Sequence, residues 1–143
     1  MRNFVEMKFS AKLRNVVFAR AAAAGFLLEH DLRLNIVNEI KTIISEAVTN
    51  CIVHGYLSNE EELVYMSLEI VDDKLIIKVV DTGTGIEDIE KAREPLYSTR
   101  EFEERSGLGF TIMDIFSDEL TVLSTPGEGT TIIAVKNIEY DAV

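Results

Sequence analysis

Three short motifs in a fixed order constrain this chain most: Glu46-Ala-Val-Thr-Asn50, Asp81-Thr-Gly-Thr-Gly85 and Arg105-Ser-Gly-Leu-Gly109. A five-residue pattern specifies little when it stands alone. Their settings narrow the field. The first falls on an amphipathic segment of helical period, the second follows an alternating apolar run, and the third opens an apolar helix. Any fold for this sequence must therefore bring a helix flank, a strand end and a helix start to one place.

The periodicities supply the elements. A short strand is predicted at Phe4–Phe9, with Val5, Met7 and Phe9 on one face. Ser10 is expected to cap a helix running to about Glu29, whose Ala21–Ala24 block allows close approach of a neighbour. A second helix is predicted from about Leu34 to His54, with Ile36, Ile40, Ile43, Ile44, Ala47, Val48 and Cys51 at helical spacing. Gly55 is placed to end it. Strands Leu63–Val71 and Lys74–Val80 alternate cleanly and join through Asp72-Asp73 in a tight hairpin. A short helix at about Glu87–Arg93 stops before Pro95, residues 96–106 read as a surface loop, and Leu108–Phe116 reads as an apolar helix. A second hairpin pairs Leu120–Leu123 with Thr130–Val135. The expected architecture is α+β: a two-layer α/β sandwich, with a mixed, mostly antiparallel sheet and helices on one face.

The bulk properties fit one domain over residues 1–143 and exclude several classes of function. With 47% hydrophobic and 27% charged residues the chain is globular, not disordered. Fourteen Lys+Arg against 25 Asp+Glu give a formal charge of −11, which repels a phosphate backbone, so nucleic acid is not expected as a direct partner. A bound nucleotide would need its charge offset locally, by a cation, helix N-termini or placed arginines. The single cysteine, Cys51, cannot form an internal disulfide, and no apolar stretch is long enough to span a bilayer. These features point to a cytoplasmic protein with no membrane partner.

Each motif has a chemical and a bland meaning. Glu46 and Asn50 are one turn apart on one helix edge, alongside Glu39. There they can orient a hydroxyl and supply an oxygen to Mg²⁺, which takes few protein ligands beside phosphate oxygens; otherwise they are a solvated flank. Asp81, emerging from a strand end, can accept a hydrogen bond from an exocyclic amine and so favour adenine, while Gly83 and Gly85 let backbone approach a ring. Alternatively it begins an ordinary turn. Gly107 and Gly109 open a helix whose free amides attract an anion, with Arg100 and Arg105 just upstream. Three independent requirements met in order favour the chemical meaning: a pocket for Mg-ATP.

The set resembles the ATP-binding fold shared by gyrase, Hsp90, histidine kinases and MutL, the Bergerat-type ATPase fold. Ser45-Glu-Ala-Val-Thr-Asn, His54-Gly-Tyr, Glu94-Pro-Leu-Tyr-Ser-Thr, Glu104-Arg-Ser-Gly-Leu-Gly-Phe-Thr-Ile-Met and Gly129-Thr-Thr-Ile are similar, more closely, to the anti-sigma factor serine kinases, in particular their sporulation branch. The resemblance covers essentially the whole chain. It implies a homodimer that binds a sigma factor and uses ATP to phosphorylate a serine of an anti-anti-sigma factor. It further implies that Asn50 holds Mg²⁺, Asp81 reads the adenine amine, and Gly83, Gly85, Ser106, Gly107, Leu108 and Gly109 shape the nucleotide pocket with Thr130 near the base. Glu46 would be the general base, and Arg105 would meet the γ-phosphate from an ATP lid at about 96–108.

Two other functions stand beside this one: an ATP-gated sigma-binding module without catalysis, and the catalytic domain of a histidine kinase. The short glycine pair and the absence of a phosphoacceptor-histidine region ahead of the domain weaken the second. Among remaining residues, His54 is expected to meet the last carbonyls of its helix, Cys51 to be a core thiol, and Glu60-Glu-Glu62 to be solvated. Arg20 either pairs internally or is presented to a partner.

Overall fold

Alternation along the strands decides which face of the sheet is covered. Val64, Met66, Leu68 and Ile70 of one strand and Leu75, Ile77 and Val79 of the next are all buried, while the residues between them are mostly not. In a computed structural model, which describes residues 2–94 and 109–138, these side chains face the helices. The strands are β1 (Arg2–Ser10), β2 (Leu63–Val71), β3 (Lys74–Asp81), β4 (Glu119–Thr125) and β5 (Gly129–Asn137). The helices are α1 (Asn15–Leu27), α2 (Leu34–Asn50), α3 (Ile89–Ala92) and α4 (Gly109–Phe116). The two-layer α+β architecture expected from the sequence is the one observed.

The sheet order is β1-β2-β3-β5-β4, and all four pairings are antiparallel, where a mixed sheet was expected. The reason is topological. β3 and β4 run in the same direction across the α3–α4 crossover, but β5 folds back from β4 and inserts between them, so no parallel neighbours result. This insertion matters for the site, because it sets Asp81 opposite Thr130 in register.

Two helix starts differ from the sequence reading. Ser10 does not cap α1. It is still in the β1 ladder, opposite Leu63, and the fully buried Ala11 extends the pairing by donating to the Glu62 carbonyl. The ladder bond wins over the cap, and a turn through Lys12–Arg14 delays the helix to Asn15, which has no side-chain cap. The helix then ends at Leu27, before a single tight turn at Leu28–His30. α3 begins at Ile89, not Glu87, because Asp88 caps it by accepting from Lys91 N–H at 3.0 Å.

Along α2, Ile40, Ile43, Ile44, Ala47 and Val48 form the buried stripe, against which Ala19, Ala23 and Leu27 of α1 pack. Replacing any of the fully buried isoleucines by alanine is the kind of change that removes about 2–5 kcal/mol. The helical path continues past Asn50 in a wider turn, Cys51–Gly55, in which Tyr56 N–H donates to the carbonyl of Cys51, five residues back. Such widened turns cluster at functional sites. No helix among the described residues is long and apolar enough to cross a membrane.

Candidate active site

Asp81 is the last residue of β3 and only 6% exposed, although it is a carboxylate. Its neighbours explain how it is tolerated. Gly83 N–H donates to Oδ1 at 2.9 Å, and the Thr130 backbone and the Cys51 thiol add further hydrogen bonds. Burial nevertheless dominates and raises the Asp81 pKa above the usual carboxylate value; the donors from Gly83, Cys51 and Thr130 pull it partly back. Burial likewise pushes the Cys51 thiol well up, helped by the adjacent Asp81 charge, so it is an inert donor and not a nucleophile.

The wide turn ending α2 brings Gly55 directly beneath this carboxylate. A Cβ at Gly55 would lie 2.6 Å from Asp81 Oδ2, and one at Gly83 would lie 2.0 Å from the Gly55 carbonyl oxygen. Thr84 N–H donates to that same carbonyl at 2.9 Å. The two backbones therefore touch only because neither carries a side chain. On the far side Gly129, at φ 120°, passes over the Asp81 carbonyl, where a Cβ would come within 2.1 Å.

The walls are fastened by two hydroxyls to which the sequence reading gave no role. Tyr56 Oη donates to the Leu63 carbonyl at 2.6 Å and accepts from Thr82 N–H at 2.9 Å, pinning the first residue after Asp81. Ser124 Oγ accepts from Ile86 N–H at 2.7 Å, donates to the Gly129 carbonyl at 2.9 Å and lies 2.8 Å from Thr130 Oγ1. Thr130 is buried and thus held beside Asp81. Tyr56 stands in the sequence only as the end of the His54-Gly-Tyr motif and Ser124 in no motif at all, and several of the partners of their hydroxyls are distant in sequence.

The other end of the site is formed by α2 and the head of α4. A Cβ at Gly109 would stand 3.1 Å from Asn50 Nδ2, 3.6 Å from Asn50 Oδ1 and 3.2 Å from Glu46 Oε2. The first residue of α4 thus packs closely on the carboxylate and amide that one helix turn places together, and a side chain there would crowd both. The donor set suits a nucleotide: a hydrogen-bond acceptor buried at one end, amide and carboxylate oxygens beneath a helix N-terminus at the other. Asn50, Glu46 and Gly109 come together at one end and Asp81, Gly83 and Thr130 at the other, whereas Gly85, at φ 74°, packs against the turn after β4, where a Cβ would lie 2.3 Å from the Thr125 carbonyl oxygen. Arg105, Ser106, Gly107 and Leu108, with Arg100 and the segment at about 96–108, lie outside the described residues. Arg20 lies away from this cluster, exposed on α1.

A family model described as "Histidine kinase-like ATPase domain" matches residues 9–136. The chain is 48% identical over 136 residues to the anti-sigma F factor of Caldanaerobacter subterraneus subsp. tengcongensis, covering 95% of this chain and 94% of that one. It belongs to the anti-sigma F factor family, on a histidine-kinase-like ATPase domain. The anti-sigma F factor of Bacillus velezensis is 44% identical over 138 residues, 96% of this chain and 94% of its own. In fold, the chain is similar to the RsbU and RsbW domains of Rv1364c from Mycobacterium tuberculosis, with a TM-score of 0.72 at 17% identity over 98% of this chain and 34% of that one. The catalytic domain of histidine kinase ThkA is a second fold neighbour, with a TM-score of 0.58, 14% identity and coverage of 94% and 95%. ATP is the nucleotide of this domain class, and its activity is of the kinase type.

Proposed function

We propose that residues 1–143 act as one cytoplasmic ATP-dependent protein serine kinase that binds and inhibits a sporulation sigma factor and phosphorylates a serine of its anti-anti-sigma factor, working as a homodimer. The sigma-binding part rests on family membership at 44–48% identity along nearly the whole chain. The kinase part is carried by one observation: the head of α4 rests on Glu46 and Asn50, so a carboxylate, an amide oxygen and a helix N-terminus converge.

The residues divide the work. Asp81 accepts from the exocyclic amine of adenine, and Gly83, Gly85 and Thr130 flank the base. Asn50 would offer its amide oxygen to Mg²⁺, which would neutralise charge on the phosphates. Glu46 takes the proton of the incoming serine hydroxyl. Bound ATP supplies the transferable phosphoryl group, and the chain contributes chiefly positioning and charge neutralisation. Ser106, Gly107, Leu108 and Gly109 would line the phosphates, Arg105 would meet the terminal one, and the segment at about 96–108 would close over them. Arg20, exposed on α1 of a strongly acidic chain, would face a protein partner.

Incubation with γ-labelled ATP, Mg²⁺ and candidate anti-anti-sigma proteins, followed by mapping of the labelled residue, tests the reading. Label on serine is expected; label on histidine would assign the histidine-kinase class, and nucleotide binding without transfer would leave an ATP-gated sigma-binding module. Asn50→Ala should abolish Mg-dependent ATP binding while the circular dichroism spectrum stays that of the wild type. Wild-type affinity in that variant would remove Asn50 from the site.

A further inference from the structure

One charged side chain in the protein core has no part in the chemistry above. Lys136 lies on β5, on the helix-facing row with Ile132, Ala134 and Ile138, and is buried. Its ammonium group donates to Glu39 Oε2 at 2.6 Å and to the Phe116 carbonyl at 2.6 Å. Phe116 is the last residue of α4, so the cation also meets the negative end of that helix. Glu39 belongs to α2 and lies two turns before Glu46, about 10 Å along the axis. One lysine thus joins the sheet, α2 and the tail of α4.

We infer that Lys136 is a positioning residue for the nucleotide site, locking the tail of α4 to α2 so that its head stays seated on Glu46 and Asn50. The inference rests on the ATP reading above. Its physical basis is the shortness of α4, eight residues or about 12 Å. Phe110 and Met113 bury their side chains in the core and fix the depth of the helix, but its first residue, Gly109, has no side chain of its own to seat it on Asn50 and Glu46. At the tail, Lys136 binds both the helix and the carboxylate on α2. Release of the tail lets α4 tilt about the buried Met113, shifting its first residue on Asn50 and Glu46, and a displacement of about 1 Å at such a point is enough for roughly 10²-fold loss.

Glu39 therefore differs from the two residues it accompanies along the helix edge: it belongs to the anchor, whereas Glu46 and Asn50 belong to the site. Lys136 is buried and Glu39 half-buried, so breaking the pair on one side can lower stability by itself, and loss of stability alone does not identify the positioning role. The variants must separate the two effects. K136M removes the ammonium and keeps the length. K136R restores a cation with several donors. E39Q/K136M removes both charges, so no carboxylate is left unpaired.

The measurements are melting temperature, ATP dissociation constant by calorimetry with Mg²⁺, and kcat and KM for ATP. K136M should weaken ATP binding and raise KM by at least tenfold, with K136R recovering most of the affinity. E39Q/K136M should regain melting temperature over K136M yet keep the weak ATP binding, since the α4 tail remains untethered. Should K136M not fold, the double variant carries the same comparison against wild type. Wild-type ATP affinity in either folded variant, or affinity that returns together with stability, overturns the positioning role while leaving the nucleotide site intact. Failure of the wild-type chain to bind ATP overturns the nucleotide reading, and this inference with it.

Discussion

Asp81 carries two opposed demands. Recognition of an amine favours an ionised carboxylate, while burial disfavours it, and the Gly83, Thr130 and Cys51 donors reconcile the two. The sign of the pH effect follows. With its folded pKa raised, the folded state holds the proton more tightly than the unfolded chain, so Asp81 contributes stability that declines as pH rises above the ordinary carboxylate range near 4. In Asp81→Asn that dependence is absent. Whatever the constant offset between the proteins, the melting-temperature difference should move in favour of the variant between pH 4 and pH 7, and ATP should bind roughly 10- to 100-fold more weakly. A difference that does not change with pH would show that Asp81 is not held in an unfavourable charged state. Glu46 poses the complementary question, since it lies at the α4 end of the site. Glu46→Gln should keep ATP affinity and slow phosphoryl transfer by about 10²- to 10⁴-fold, as loss of a general base requires. Unchanged turnover would leave positioning as the sole contribution there.

At the scale of elements, the wide turn after Asn50 is the joint between the two ends of the site. It carries Gly55 under Asp81 and swings Tyr56 towards the β2 and β3 ends, where its hydroxyl serves both the Leu63 carbonyl and Thr82 N–H. Tyr56→Phe strands two backbone groups at once. It should cost about 1–3 kcal/mol, lowering the melting temperature by roughly 2–8 °C, and should weaken ATP binding by loosening the loop after Asp81. An unaltered melting curve would mean that water replaces the phenol at no cost. The same joint shows what a sequence discloses and what it does not. Asn50 and Glu46 are legible because one helix turn fixes their separation, and Asp81 because it ends an alternating strand. Strand extents are legible for the same reason: β2 begins and ends where its pattern does. Ser124 and Lys136 are silent, because each works through partners brought near only by the sheet order, such as Ser124 with Ile86 or Lys136 with Glu39, and Tyr56 shows in the His54-Gly-Tyr motif without its role. Ser10 misleads in the opposite direction. Its type favours a cap, but the β1 ladder takes its backbone first, and local propensity yields to tertiary pairing.

For the molecule as a whole, the dominant quantity is the formal charge of −11. An acidic protein that takes an anionic nucleotide works against its own long-range field, and on the reading proposed above would compensate through features felt only at contact: a helix N-terminus and a bound cation. Salt separates these ranges. Raising ionic strength from about 0.01 to 0.15 M shortens the Debye length from about 30 to 8 Å, which suppresses repulsion across the molecule more than interactions inside the site. The association rate of Mg-ATP, followed by stopped-flow with a fluorescent analogue, should therefore increase over that range. This is the reverse of the behaviour of sites that steer ligands of opposite charge. The melting temperature of the nucleotide-free protein should increase as well, because surplus carboxylates repel one another less. A rate that instead falls with salt would show that positive charge near the mouth outweighs the net field, with steering rather than contact governing nucleotide capture. The dissociation rate should change less than the association rate, since the contacts proposed for Asp81 and Asn50 would be short-ranged.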